Sequence, residues 1–211
     1  MDEIRQNNPL IPRLIGWGGV ANVIGGVLVA MAYLLHPPEA PPDTVSSNLW
    51  LIVHAGFMVS LVAGIFALIA FLGQYLRAGG GLSGTIGCVM AITSLVSIFG
   101  LDYSEVFIFP TLAVEFPEVV WKYGDGTIMP SVAFAFPLSG ILFLIGYLLF
   151  AFQLARTDCV SRASGLMLGI GTLVFGVGLS GFVPMIVVRV GAILFGAGLI
   201  WTGLSLRARV K

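Results

Sequence analysis

Five ionisable side chains interrupt otherwise apolar stretches of this sequence: His36, His54, Asp102, Glu105 and Arg189. A charged side chain at the centre of a membrane helix costs about 2.5–3.5 kcal/mol on insertion scales, so such residues mark a functional site or an internal ion pair. Asp102 and Glu105 are three residues apart and share one helical face. Arg189 follows Pro184 by five residues, and His54 lies early in its own apolar stretch. Pairing of Arg189 with either carboxylate would lower its burial cost. The second carboxylate would then remain for a cation, a protonated ligand or His54. The set His54, Asp102, Glu105 and Arg189 therefore forms the expected lining of a polar ligand pocket. His36 stands before Pro37-Pro38 and reads as an interfacial residue.

Other chemistry has less to stand on. The sequence holds no HExxH, GxSxG or phosphate-binding Walker loop. With two histidines in the chain, a three-histidine zinc site cannot form. A metal or haem site using His54, with His36 or a carboxylate as second ligand, remains open. So does a lipid-modifying enzyme using the two carboxylates as acid and base, although Ser104 has no evident base other than His54. No cofactor is identified. Cys88 and Cys159 lack a CxxC spacing and read as inert thiols rather than a disulfide.

The elements that must position these residues follow from composition. The chain has 211 residues, 58% hydrophobic and 9% charged, with mean hydropathy +1.03. A soluble domain carries about 25% charged residues, so this chain cannot wet a globular surface. Ten basic residues balance ten acidic ones, which leaves no footprint for nucleic acid. Long continuous apolar stretches, rather than alternating ones, exclude a transmembrane β-barrel. The expected fold is all-α: one polytopic membrane domain over 1–211, with about six spans near 14–35, 49–76, 84–109, 131–154, 163–181 and 184–206. The third must continue past Asp102 to be long enough. The first exceeds the 7–15-residue core of a signal peptide and reads as an uncleaved helix.

Positive charge sets the orientation. Arg5, Arg13, Arg77, Arg156, Arg162, Arg207, Arg209 and Lys211 fall on one side, and Glu39, Asp43, Glu115, Glu118 and Asp125 on the other. Both termini are expected to be cytoplasmic, in the plasma (inner) membrane. Trp17 and Trp201 would then mark the inner interface, and Trp50 and Trp121 the outer one. The linker 36–48 reads as an extended, proline-stiffened segment. The segment 111–130 reads either as an interfacial amphipathic helix ending at Gly124-Asp125-Gly126 or as an irregular loop. Small-residue pairs, Gly165/Gly169, Ala21/Gly25 and Ala192/Gly196, point to close helix packing.

The functional expectation is a non-enzymatic multi-pass protein. It would bind a small or lipophilic ligand in an outward-side polar pocket, or act as a subunit of a larger membrane complex. Its partners would be the lipid bilayer and other membrane subunits. Reporter fusions test the orientation: those at Lys211 and near Gly80 should read cytoplasmic, and one near Asp125 should read the opposite side. An external carboxyl terminus would break the grouping of the ionisable residues on the outer side.

Overall fold

Apolar stretches that cross lipid must satisfy their own backbone hydrogen bonds, and the helix does so within one segment. The computed structural model describes residues 10–38, 41–124, 130–180 and 182–209, and no strand occurs among them. Six long helices are α1 Leu10–Leu35, α3 Asn48–Arg77, α4 Leu82–Phe107, α7 Pro130–Arg156, α8 Arg162–Gly178 and α9 Met185–Arg209. Three short ones are α2 Pro42–Val45, α5 Phe109–Glu115 and α6 Pro117–Gly124. By length and composition five helices are able to cross a membrane, beginning at Leu10, Asn48, Leu82, Ala133 and Met185; the apolar α8 is shorter, at 17 residues. The protein is thus an all-helical integral membrane bundle.

Local chemistry sets the helix ends. The Ser47 hydroxyl accepts from the Trp50 amide at 3.2 Å and caps α3. Ser161 does the same for the Ser164 amide and starts α8. After α3 the chain turns through Gly79, whose φ of +78° lies in the left-handed region that glycine adopts without strain. The linker after α1 departs from expectation. Instead of running extended throughout, it makes one helical turn over Pro42–Val45, which Pro42 at the first helical position preorganises. Helix α6 realises the helical reading of the 111–130 segment and ends at Gly124; Asp125 and Gly126 lie outside the described residues.

The long helices close a ring in chain order. Helix α1 packs on α3, α3 on α4, α4 on α7, α7 on α8, α8 on α9, and α9 returns to α1. Glycine makes the last contacts possible. A Cβ on Gly203 would stand 2.5 Å from the Gly19 carbonyl oxygen, and one on Gly196 would stand 2.5 Å from that of Gly26. On its other side α9 presents Gly191 and Gly198 to the backbones of Phe175 and Leu168 in α8. Between the two α1 contacts, buried Asn22 donates through Nδ2 to the Leu199 carbonyl (2.7 Å) and to Thr202 Oγ1 (3.0 Å). Helices α4 and α7 meet through Gly87 and Gly146.

Not every expected small-residue contact is made. Gly165 lies close against Ala155, but at Gly169 a Cβ would meet only the Ala151 methyl, at 3.9 Å. The contact surface of α8 toward α9 instead follows the seven-residue spacing of Gly171 and Gly178. The interior is filled by interlocking rings: Phe143, Tyr147, Phe175 and Phe195, then Tyr33, whose ring meets Phe175 edge-on at 4.9 Å.

Backbone has nowhere to move at these contacts, so added volume acts on the helix spacing itself. Gly203→Leu and Gly191→Leu should each destabilise the protein by about 3 kcal/mol or more. Gly73→Leu, at a position with nothing within 4 Å, should be tolerated. Thermal unfolding in detergent reads the difference, and equal melting of all three variants would contradict the backbone contacts.

Candidate functional site

The ionisable residues gather at the end of the bundle that carries the linker after α1. His54, on α3, and Asp102, on the adjacent α4, are both buried. His54 Nδ1 and Asp102 Oδ1 are 2.6 Å apart. A contact that short holds one proton between the two atoms. With the carboxylate facing a neutral ring protonated on Nδ1, the opposite ring atom Nε2 is an acceptor; with one further proton on the pair, whether it rests on the ring or on the carboxyl group, Nε2 carries hydrogen and donates. The pair therefore offers either polarity at Nε2. Neither His54 Nε2 nor Asp102 Oδ2 has a hydrogen-bond partner among the described residues.

Rings enclose the pair. Trp50 lies one helical turn before His54 on α3, and the two ring centroids are 4.4 Å apart. Trp50 Nε1 donates to the Glu105 backbone carbonyl at 3.0 Å, which fixes the indole across the α3–α4 contact. The His36 ring stands 5.1 Å from that of His54 and 5.5 Å from Trp50, and stacks on Tyr33 at 6.0 Å. Above this group the short helices form a lid with its own small core of Val45, Trp50, Phe109 and Ala113.

The expected pairing of Arg189 is corrected by this arrangement. Among the described residues the ion pairs are His54–Asp102 and Arg209–Asp158. Arg189 donates through Nη2 to the His36 carbonyl at a long 3.4 Å, and its Nε is buried without a partner among the described residues. Helix α9 packs along α1 and α8, whereas Asp102 and Glu105 sit on α4, which packs along α3 and α7. Arg189 meets the end of α1 instead. Glu105 is half-buried and contributes its backbone carbonyl to Trp50.

Two further residues join the site. Trp50, expected at the outer interface, is 3% exposed and belongs to the site. Its place was readable from the four-residue spacing to His54. His36, expected to be interfacial, is half-buried within the ring cluster, where Nδ1 contacts the Pro37 carbonyl at 2.7 Å. Among the described residues no group of three or more His, Cys, Asp or Glu side chains stands close enough to hold a metal ion. Cys88 and Cys159 are free and buried; burial pushes the Cys159 thiol upward in pKa, which favours the unreactive protonated form.

Comparison with protein-family models, with curated proteins and with solved structures finds no match. The site is therefore read from its own chemistry.

The pair predicts non-additive stability. His54→Leu leaves a buried carboxyl group without its partner, a loss of about 1–3 kcal/mol for the desolvated group alone. The double variant His54→Leu with Asp102→Leu removes both polar groups and should melt above the single variant. A double variant less stable than His54→Leu would show that the two side chains are not coupled.

Proposed function

We propose that this chain is a non-enzymatic multi-pass protein of the plasma (inner) membrane that binds a small or lipophilic ligand at the His54–Asp102 pair. Six helices cross the bilayer in this reading, with α8 as the shortest span and both termini cytoplasmic. Seventeen residues rise about 26 Å, close to the hydrocarbon thickness. Support for an even number of crossings comes from Arg13 and Arg207, which belong to the first and last long helices yet line one groove. Five crossings would separate them by the bilayer. The site then faces the outer side.

One observation carries the ligand reading: the buried pair retains two polar atoms, His54 Nε2 and Asp102 Oδ2, without hydrogen-bond partners among the described residues. Buried polar groups are nearly always satisfied, so each such atom asks for a partner. A ligand hydroxyl or carbonyl could meet Nε2 in one of its two proton states, and the surrounding Trp50, His36 and Tyr33 rings suit a flat or apolar body. Arg189 Nε, at the His36 end of the same cluster, offers a further donor.

The test is chemical extraction. Small molecules extracted from protein purified in mild detergent should include a species that is depleted from the His54→Phe and Asp102→Asn variants. The depleted species, added back, should raise the melting temperature of the wild-type protein and not of the variants. Identical extracts from all three folded proteins would overturn the ligand reading and leave the pair as a structural bond between α3 and α4.

A further inference from the structure

At the end of the bundle opposite the His54 site, α1 and α9 border an open groove of about 220 Å³, lined by Arg13, Gly16, Trp17, Val20 and Arg207. Its shape comes from two glycines. At Gly16 a Cβ would meet nothing within 4 Å, so the missing side chain leaves the floor open. At Gly19 a Cβ would stand 2.6 Å from Arg207 Cγ. The aliphatic stem of Arg207 therefore lies directly on the α1 backbone, and only glycine permits it there. Trp17, 69% exposed, forms an apolar wall of the kind that sits at a lipid–water boundary.

Among the described residues the charge of the groove is unmatched. Among the described residues the carboxylates in ion pairs are Asp102 and Asp158, held by His54 and Arg209. Arg13 and Arg207 are both exposed and have no carboxylate partner among the described residues. Two guanidinium groups lining one groove repel each other unless an anion stands between them. Phosphate oxygens match the guanidinium fork, and the match is stronger where water is partly excluded. A free phosphate would use the two arginines but leave Trp17 and Val20 without a role. A phospholipid uses all of them.

We propose that this groove binds the phosphate headgroup of an anionic phospholipid through Arg13 and Arg207, with Trp17 and Val20 along the start of an acyl chain. The site does not depend on the ligand reading of the His54–Asp102 pair. Its occupant would bridge the first and last long helices across the seam where the ring closes.

Native mass spectrometry of the full chain in detergent, titrated with phosphatidylglycerol or phosphatidylcholine, tests the site. Wild-type protein should retain phosphatidylglycerol preferentially. Arg13→Gln and Arg207→Gln should each lower that retention about fivefold, the effect expected of one basic side chain at an anionic surface. Gly16→Leu should lower it as well, because it fills the floor while keeping both charges. That variant replaces glycine with a stronger helix former at an open position, so it keeps the test readable should an arginine variant fail to fold. Arg77→Gln, at the same end but outside the groove, should change nothing. Equal loss on Arg77→Gln would mean diffuse attraction and overturn the proposal. So would full retention by Gly16→Leu, or complete displacement of the lipid by excess inorganic phosphate, which would assign the groove to a free anion.

Discussion

Lipid gives helices no hydrophobic reason to associate, so this bundle depends on how closely its backbones can approach one another. Helix α9 carries that constraint. It has glycines at two seven-residue spacings, Gly196 and Gly203 toward α1, Gly191 and Gly198 toward α8. Each pair lies on one side of the helix because seven residues make close to two turns. A single helix thereby meets two neighbours backbone to backbone, which is what lets six helices close rather than spread as a row. Asn22 adds direction to the α1 contact: its two hydrogen bonds, to the Leu199 carbonyl and Thr202 Oγ1, are made at one axial register.

Closure has a consequence for the polar residues. In a closed ring each helix packs along two long neighbours, and large side chains such as Tyr33 and Phe195 also meet partners across the interior. His54 on α3 can reach Asp102 on α4, and does. Arg189 on α9 instead donates to the His36 carbonyl at the end of α1. Beside the His54–Asp102 pair lies a separate small core, in which α2 and α5 bury the indole of Trp50. The aromatic interior runs up to Tyr33, and Tyr33 stacks on His36 beside the pair. Polar chemistry sits at one end of a column of rings, with the lid on its other face.

The long helices were legible because hydropathy over some twenty residues needs no knowledge of neighbours. The run of the third past Asp102 was required by length alone. Partner choice was not legible. Asp102 and Glu105 share a face, but which helix that face meets is a property of ring order, and no local pattern encodes it. The same limit applies to glycine. Gly165 and Gly169 have the familiar four-residue spacing, yet only Gly165 makes a close contact, while the seven-residue series on α8 and α9 does the packing. The burial of Trp50 was not legible for a related reason. An aromatic residue near a span end suits an interface, and only the short helices, whose packing depends on distant residues, convert that position into an interior one.

The α1–α9 seam joins both ends of the molecule. At one end the His36 carbonyl accepts from Arg189; at the other the Arg207 stem lies on Gly19. Between them stand two glycine contacts and the Asn22 bonds. A sliding motion of α1 along α9 would have to break those bonds and carry the Gly19 and Gly26 carbonyls into positions where α9 presents side chains instead of glycine. A bulky side chain there would meet backbone at less than contact distance, so register shifts are resisted in both directions. The seam thus behaves as one rigid body. Any ligand at either end must then be accommodated by side chains, Arg189, His36 and the lid at one end, Arg13 and Trp17 at the other, rather than by movement of the helices themselves.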